Sequence, residues 1–451
     1  MQRRTRMITG GIGLTAVLLV AGAFGIVRSS PNHGDGGRAV TGAAVAAVPA
    51  ALTGRGATPG ASLDQMIATL QDRLAATPGD DVSWATLGLA YVQQARVTID
   101  PSYYPRAEGA LQQSLDIQQD ENFLAYAGLS ALAAARHDFA RAKQEAIAGL
   151  AINPYSAILY GALSDAETQL GDYDAAFTAV QRMIDLKPDT SSLSRASYTW
   201  ELRGDVTRAR DLMQRALDDA PTPADRAFAL YQLGDLAFNA GDPNGALELY
   251  RQALVALPEN PAALAGKARA EAALGQHETA LDDYAALVER APDPTYLLEY
   301  GELLESLGRT AAANEQYQLF EVTQRLFAGN GVQPDAILTL YEADHGDPAA
   351  ALTAADAGMA ANPFVTMRDA YAWALHRNGR DTDALEQIDQ AISLGLPNAR
   401  FHFHAGSIAL ALGDDARARD EFQTALAINP YFNPIEADIA RAALVELGGA
   451  A

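Results

Sequence analysis

The 451-residue chain is predicted to be all-α: a solenoid of about ten helix–turn–helix repeats, closed at each end by an extra helix. Three observations carry that expectation. Eight glycines are each followed five residues later by an alanine: Gly171/Ala176, Gly204/Ala209, Gly241/Ala246, Gly275/Ala280, Gly308/Ala313, Gly346/Ala351, Gly379/Ala384 and Gly413/Ala418. Successive glycines lie 33, 37, 34, 33, 38, 33 and 34 residues apart. In six units a proline stands 17 residues beyond the glycine: Pro188, Pro221, Pro258, Pro292, Pro363 and Pro430. A fixed period of this length marks a supersecondary unit that cannot bury its apolar face alone and must stack on its neighbours. The glycine supplies the tight turn between two short helices. The alanine fits where the second helix presses on the first, and the proline ends the second helix because it has no N–H to donate.

The elements follow in order. Arg3, Arg4 and Arg6 precede an uncharged run from Ile8 to Val27, 20 residues long, which matches the hydrocarbon core of a bilayer. Residues 1–28 are therefore expected to be a signal anchor. The alternative is a signal peptide cleaved near Ala21-Gly22-Ala23. Three arginines before the run against Arg28 just after it put the N-terminus inside and the repeats outside the cell membrane, with secretion as the outcome if cleavage occurs. Arg6 and Met7 fit a twin-arginine signal poorly. Residues 29–61 are rich in Gly, Ala, Pro and Ser, the composition of a flexible linker. A capping helix is expected within 62–80, with Met66, Ile67, Leu70 and Leu74 on one face and Pro78 beyond it.

Ten repeats then fill 81–430, and residues 431–451 hold a last amphipathic helix, Pro434 to Leu447, with Asp438, Arg441 and Glu446 for its outer face. Some repeats depart from the pattern. Repeat 1 carries an extra turn's worth of loop at Asp100–Pro105, and repeat 2 has His137 in place of the turn glycine. Repeat 7 has Arg325 where the proline belongs, so its second helix should run long, from Ala311 to about Ala328. In repeat 9 that place holds Leu396.

Within the repeats, large and small residues recur at fixed places: Trp84, Leu87, Gly88 and Tyr91 in repeat 1, and Leu230, Leu233, Gly234, Gly241, Ala246, Tyr250, Ala253 and Pro258 in repeat 5. This pattern resembles the tetratricopeptide repeat (TPR) family from about residue 62 to the C-terminus. The resemblance implies a right-handed superhelix whose first helices line a concave groove that holds a peptide or partner helix. On that register the groove carries Asp165, Arg195, Tyr198, Tyr231, Gln232, Asp235, Phe238, Asn239, Arg269, Glu302 and Trp373. Glu201, Glu299, His376 and His404 fall at the same places. Repeats 1 and 2 put small or apolar residues there, among them Ala85, Leu89 and Ala131. The lysines with which some family members clamp the C-terminal carboxylate of chaperones are missing from those places.

The net charge is −23, which disfavours nucleic acid and anionic lipid as partners of the solenoid and suits a basic partner or simple solubility. Cysteine is absent, which excludes disulfides, thiolate metal sites and a lipoprotein anchor. Catalytic signatures are missing too. His277-Glu278 lacks the second histidine of a zinc-protease helix, since Leu281 stands there. The lysines are Lys143, Lys187 and Lys267 alone, and none closes a phosphate-binding loop. His402 and His404 lie on different faces of one helix, and His376 with His404 reads as a pair of ordinary surface histidines rather than a metal site. Glu342 to Pro348 reads as a turn at Gly346 followed by a capped helix start at Asp347-Pro348. The expected function is a non-catalytic scaffold without cofactor or metal, binding a protein or peptide with basic and apolar side chains. The alternative is a regulatory subunit that senses a peptide or small ligand.

Overall fold

The computed structural model describes residues 59–448. Among the described residues there are 22 helices and no strand. Helix α1 (Pro59–Ala76) precedes ten hairpins. The first three are α2 (Asp81–Thr98) with α3 (Tyr103–Ile117), α4 (Phe123–Ala135) with α5 (Phe139–Ile152), and α6 (Ala157–Gln169) with α7 (Tyr173–Leu186). Next come α8 (Thr190–Glu201) with α9 (Val206–Asp218), α10 (Pro223–Asn239) with α11 (Pro243–Ala256), and α12 (Pro261–Ala273) with α13 (His277–Arg290). The last four are α14 (Pro294–Ser306) with α15 (Thr310–Gly329), α16 (Ala336–Asp344) with α17 (Pro348–Ala361), α18 (Val365–Arg377) with α19 (Asp381–Ile392), and α20 (Ala399–Ala411) with α21 (Asp415–Ile428). Helix α22 (Glu436–Glu446) closes the array. The expected anchor (1–28) and most of the expected linker lie outside the described residues. Within them, no helix is long and apolar enough to cross a membrane.

In seven of the ten hairpins the turn is made as the sequence predicts, by a glycine at positive φ. Gly171 adopts φ +76°, its N–H donates to the Thr168 carbonyl at 3.1 Å, and the Asp172 N–H donates to the Glu167 carbonyl at 2.9 Å. These two bonds satisfy the last carbonyls of α6. The Asp172 carboxylate then accepts from the Ala175 N–H at 3.1 Å, so one dipeptide ends one helix and caps the next. Gly204-Asp205, Gly241-Asp242 and Gly413-Asp414 repeat the device. His137 takes the left-handed conformation in repeat 2, at φ 59°, and stacks on Phe139 at 5.9 Å.

Three details differ from expectation. Gly346 is absent from the positive-φ glycines. Its turn is instead closed by the Glu342 carboxylate, which accepts from the Asp347 N–H at 3.1 Å. The extra residues of repeat 1 are mostly helix rather than loop. Helix α2 runs 18 residues to Thr98, and Pro105 sits in the first turn of α3, where a missing N–H is tolerated. The N-terminal cap begins at Pro59, within the segment expected to be linker. The long second helix of repeat 7 is present and spans 20 residues.

All eight predicted alanines are buried to within 1% exposure. They sit where paired helices cross, so nothing larger than a methyl fits. A second small-to-large fit joins neighbouring repeats. A Cβ added to Gly234 or Gly266 would stand 2.5 Å from the ring of Tyr250. That ring is therefore held between the first helix of its own repeat and the first helix of the next.

The superhelix also closes on itself. The N–H of Val365 donates to the Tyr173 hydroxyl at 3.0 Å across 192 residues, and the Asn429 amide donates to the Phe238 carbonyl at 2.9 Å across 191. The Gln333 N–H donates to the Arg136 carbonyl at 2.9 Å. The hairpin turns of repeats 2–5 thus rest on the loops that close repeats 7–10. One superhelical turn takes about 190 residues, between five and six repeats. At this seam the chain needs glycine for a second reason: a Cβ on Gly204 would lie 2.6 Å from the Gly395 carbonyl oxygen. Leu202, 1% exposed, packs into the cluster formed by Phe364, Val365 and Leu375, so apolar contact also crosses the seam.

Two glycine substitutions separate these packing constraints from helix propensity. Gly109 in α3 has nothing within 4 Å of an added Cβ, and Gly109→Ala is expected to stabilise the fold by about 0.5–1 kcal/mol. Gly234→Ala drives a methyl into the Tyr250 ring and is expected to destabilise it by about 1–3 kcal/mol. Urea denaturation of both variants checks the opposite signs.

Candidate partner-binding wall

The first helix of each hairpin faces the superhelix interior, and its charged residues meet those of the next first helix. Arg195 on α8 makes a two-pronged contact with Asp165 on α6, through Nε at 2.9 Å and Nη2 at 2.7 Å. Both side chains are almost fully buried. Arg269 on α12 donates to Asp235 on α10 at 2.6 Å and to Glu299 on α14 at 3.4 Å. Its guanidinium lies 4.8 Å from the centre of the Phe238 ring. The Tyr250 hydroxyl also donates to Asp235, at 2.7 Å. These pairs form rungs that lock successive repeats, with planar guanidinium groups matched to carboxylates.

The C-terminal end of the interior is filled. Arg400 on α20 lies 2.6 Å from Glu436, 3.5 Å from Asp344 and 4.0 Å from Glu302. Asn433 donates to Glu302 at 3.0 Å, and the Trp373 indole N–H donates to Asp344 at 2.7 Å. His404, wholly buried, pairs with Asp369 at 2.7 Å and stacks on Trp373 at 4.2 Å. Burial alone would push its pKa down, but the carboxylates of Asp369 and Glu436 raise it to about 9, so it is an imidazolium at neutral pH. Burial likewise pushes the Glu436 carboxyl up, yet Arg400 and His404 hold it below the usual range. Like-charged acids are brought together here because two cations stand between them.

Comparison with known proteins bears on this array. A family model described as "Tetratricopeptide repeat" matches residues 202–262, 231–293, 266–322, 340–395 and 373–431. Over these residues the chain is an array of tetratricopeptide repeats. No curated protein is matched. Among solved structures, it is similar to a tetratricopeptide repeat protein from Parabacteroides merdae ATCC 43184, at 22% identity over 58% of this chain and 99% of that one, with a TM-score of 0.33. The APC/C hetero-tetramer Cut9–Hcn1 matches at 15% identity over 89% and 83%, with a TM-score of 0.41. The human IFIT1 dimer with PPP-AAAA matches at 13% over 85% and 89%, with a TM-score of 0.44.

The TPR register puts the expected residues on first helices, but the closed superhelix changes what most of them meet. Asp165, Arg195, Tyr231, Asp235, Phe238, Glu302 and Trp373 are buried, and the charged ones among them, with Trp373, bond to other repeats rather than face an open trough. Tyr198 turns to the seam, with its ring 6.5 Å from that of Phe364. Gln232 and Arg269 are half-buried, and Asn239 is exposed. His404 is buried and His376 is paired with Asp381 at 2.6 Å, so neither is an ordinary surface histidine. Among the described residues, no group of three or more His, Asp and Glu is placed to hold a metal ion.

Glu201 on α8 is different. It is half-buried on the same wall, and its carboxylate enters no hydrogen bond or ion pair among the described residues. Burial, then the charge of Asp235, raises its pKa to about 7. The register marks the residue, but the sequence cannot show that it is unpaired. Arg400, Asp344 and Glu436 were not expected at the interior. Their only sequence signal is charge at the ends of helices or inside an atypical terminal element.

Two outcomes follow from this wall. Arg195→Met leaves Asp165 buried without a partner and is expected to cost about 3–5 kcal/mol, most of which returns in the Asp165→Leu/Arg195→Met double variant. Chemical denaturation of the four-member cycle measures both. Glu201 has a folded pKa above its unfolded value, so the stability it contributes is present below pH 4.5 and lost as pH rises through about 7. Glu201→Gln is therefore expected to stabilise the fold above pH 7 by about 1–2 kcal/mol, discounted for partial exposure. The gain should vanish toward pH 4.5, and thermal denaturation across a pH series reads it.

Proposed function

We propose that this TPR array is a non-catalytic scaffold that holds a basic segment of a partner protein along the wall bearing Glu201, Gln232, Asn239, Arg269 and Glu299. The observation that carries this reading is the unpaired carboxylate of Glu201. Beside it, Asp235 and Glu299 share the single cation Arg269, which leaves the accessible strip with an excess of acid. A lysine or arginine of a partner would relieve that excess, and Gln232 and Asn239 offer amides to a backbone laid alongside. Burial of Tyr231, Asp235 and Phe238 gives them the role of supporting the strip rather than touching the partner. The acidic surface disfavours nucleic acid as that partner.

The same proposal places the array outside the cell, tethered by an anchor at Ile8–Val27 and a linker of about 30 residues. The support is the length of the apolar run and the arginines that precede it. A soluble exported form after cleavage is the alternative outcome.

Capture from membrane extracts with wild type and with a Glu201→Gln/Glu299→Gln variant tests the binding. A basic partner retained by the wild type, released by salt and at least tenfold weaker on the variant is expected. Release should also be favoured below pH 7, where Glu201 is protonated. Equal capture by both proteins at every salt and pH would sink the groove reading. Membrane fractionation with N-terminal sequencing separates anchor from cleaved signal.

A further inference from the structure

At the N-terminal end of the interior, the two sides of the seam enclose a cavity of about 100 Å³. Its walls come from α2 and α4 on one side. The start of α14, the end of α15 and the loop that follows complete it on the other. They are largely apolar and include Leu89, Val92, Ala131, Phe327 and Ile337. These are the small and apolar places of repeats 1 and 2, covered by repeats 7 and 8.

Into this lining comes Arg96. Its Nε is buried without a hydrogen-bond partner, and the side chain enters no ion pair among the described residues. The other inner-wall arginines, Arg195, Arg269 and Arg400, each have a carboxylate within 2.7 Å. Burial lowers the Arg96 pKa to about 10, which still leaves a cation at neutral pH. Tyr104 also lines the cavity, and its hydroxyl makes no hydrogen bond within the described residues. The two acids of the lining are engaged elsewhere. Asp293 accepts from the Thr295 N–H at 2.9 Å. Asp335 accepts from the Leu338 N–H at 2.9 Å and lies 3.9 Å from His137. The lining further holds Ile99, a β-branched residue kept at φ 52°, the kind of local strain that ligand sites retain.

A half-buried cation whose Nε has no partner, beside empty apolar space, is an incomplete arrangement. We propose that the cavity is a ligand site for a short apolar carboxylate, held at its head by Arg96 and Tyr104 and along its hydrocarbon by Leu89, Ala131 and Phe327. The volume fixes the size class. A dry cavity of about 150 Å³ takes the six carbons of benzene, so this one, at about 100 Å³, takes a hydrocarbon body of about four carbons and not a peptide. Because both sides of the seam line it, an occupant ties repeats 1 and 2 to repeats 7 and 8 and stabilises the closed superhelix. This goes beyond the scaffold reading and does not depend on it.

The test titrates pentanoate, pentanol and pentylamine into the full chain, read by calorimetry and by thermal shift. Pentanoate is expected to bind at millimolar concentration and to raise the unfolding midpoint. The alcohol and the amine should bind at least tenfold more weakly, a difference of about 1.4 kcal/mol. Arg96→Met should lower pentanoate affinity at least tenfold, with Arg96→Lys retaining part of it. Ala131→Leu, which fills the hydrocarbon end, should abolish binding, and it keeps the proposal testable if Arg96→Met does not fold. No binding of pentanoate, equal binding of pentylamine, or pentanoate affinity unchanged in either Arg96→Met or Ala131→Leu would overturn it.

Discussion

The offset at which the ribbon of hairpins meets itself governs the rest of this molecule. A repeat array has two edges, one of hairpin turns and one of loops between hairpins, and in an open solenoid both face water. Here the turns of repeats 2–5 sit on the loops of repeats 7–10. Glycine at the turns of repeats 3–5 serves local geometry and close approach together, since a side chain on Gly204 would strike the Gly395 carbonyl. Apolar residues of the loops, Phe364 above all, complete the join by packing on Tyr173 and Tyr198.

Closing the seam buries much of the concave side, and this sets the electrostatics. Charges that an open groove would leave solvated must find partners, because an unpaired buried ion is costly. Asp165 with Arg195 and Asp235 with Arg269 are the result, each joining neighbouring first helices. Such rungs fix the rotation between repeats, which fixes the superhelical offset that desolvated them. Local register and global closure therefore support one another.

Exceptions to that pairing are informative because the surroundings enforce it. Glu201 and Arg96 lie on the same inner surface, of opposite sign, and neither has a partner among the described residues. The first stands where the wall is still open enough to admit a chain, and the second beside a small apolar cavity. By contrast, each charged residue of the C-terminal interior has at least one partner. Arg400 and His404 face Glu302, Asp344, Asp369 and Glu436, and Asn433 supplies a further donor. The terminal helix is thus joined to the array by charge as well as by Leu444 and Ala440 in the core.

The sequence by itself determined the repeat. Glycine, aspartate, alanine and proline act within one hairpin, through backbone conformation, capping and the size of a methyl, so their meaning is readable from spacing alone. The length of α15 followed in the same way from a missing proline. Even the lapse at Gly346 was a local matter, since Glu342, four residues earlier, closes that turn. Which residues fall on first helices was legible too, because it follows from the register. What only the tertiary structure decided was whether that inner face would see water. Exposure of Tyr231 or Phe238 depends on the small rotation between repeats, summed over about 190 residues until one turn meets the next. No short window of sequence holds that sum, so burial, pairing and the unpaired pair of Glu201 and Arg96 became visible only in the folded chain.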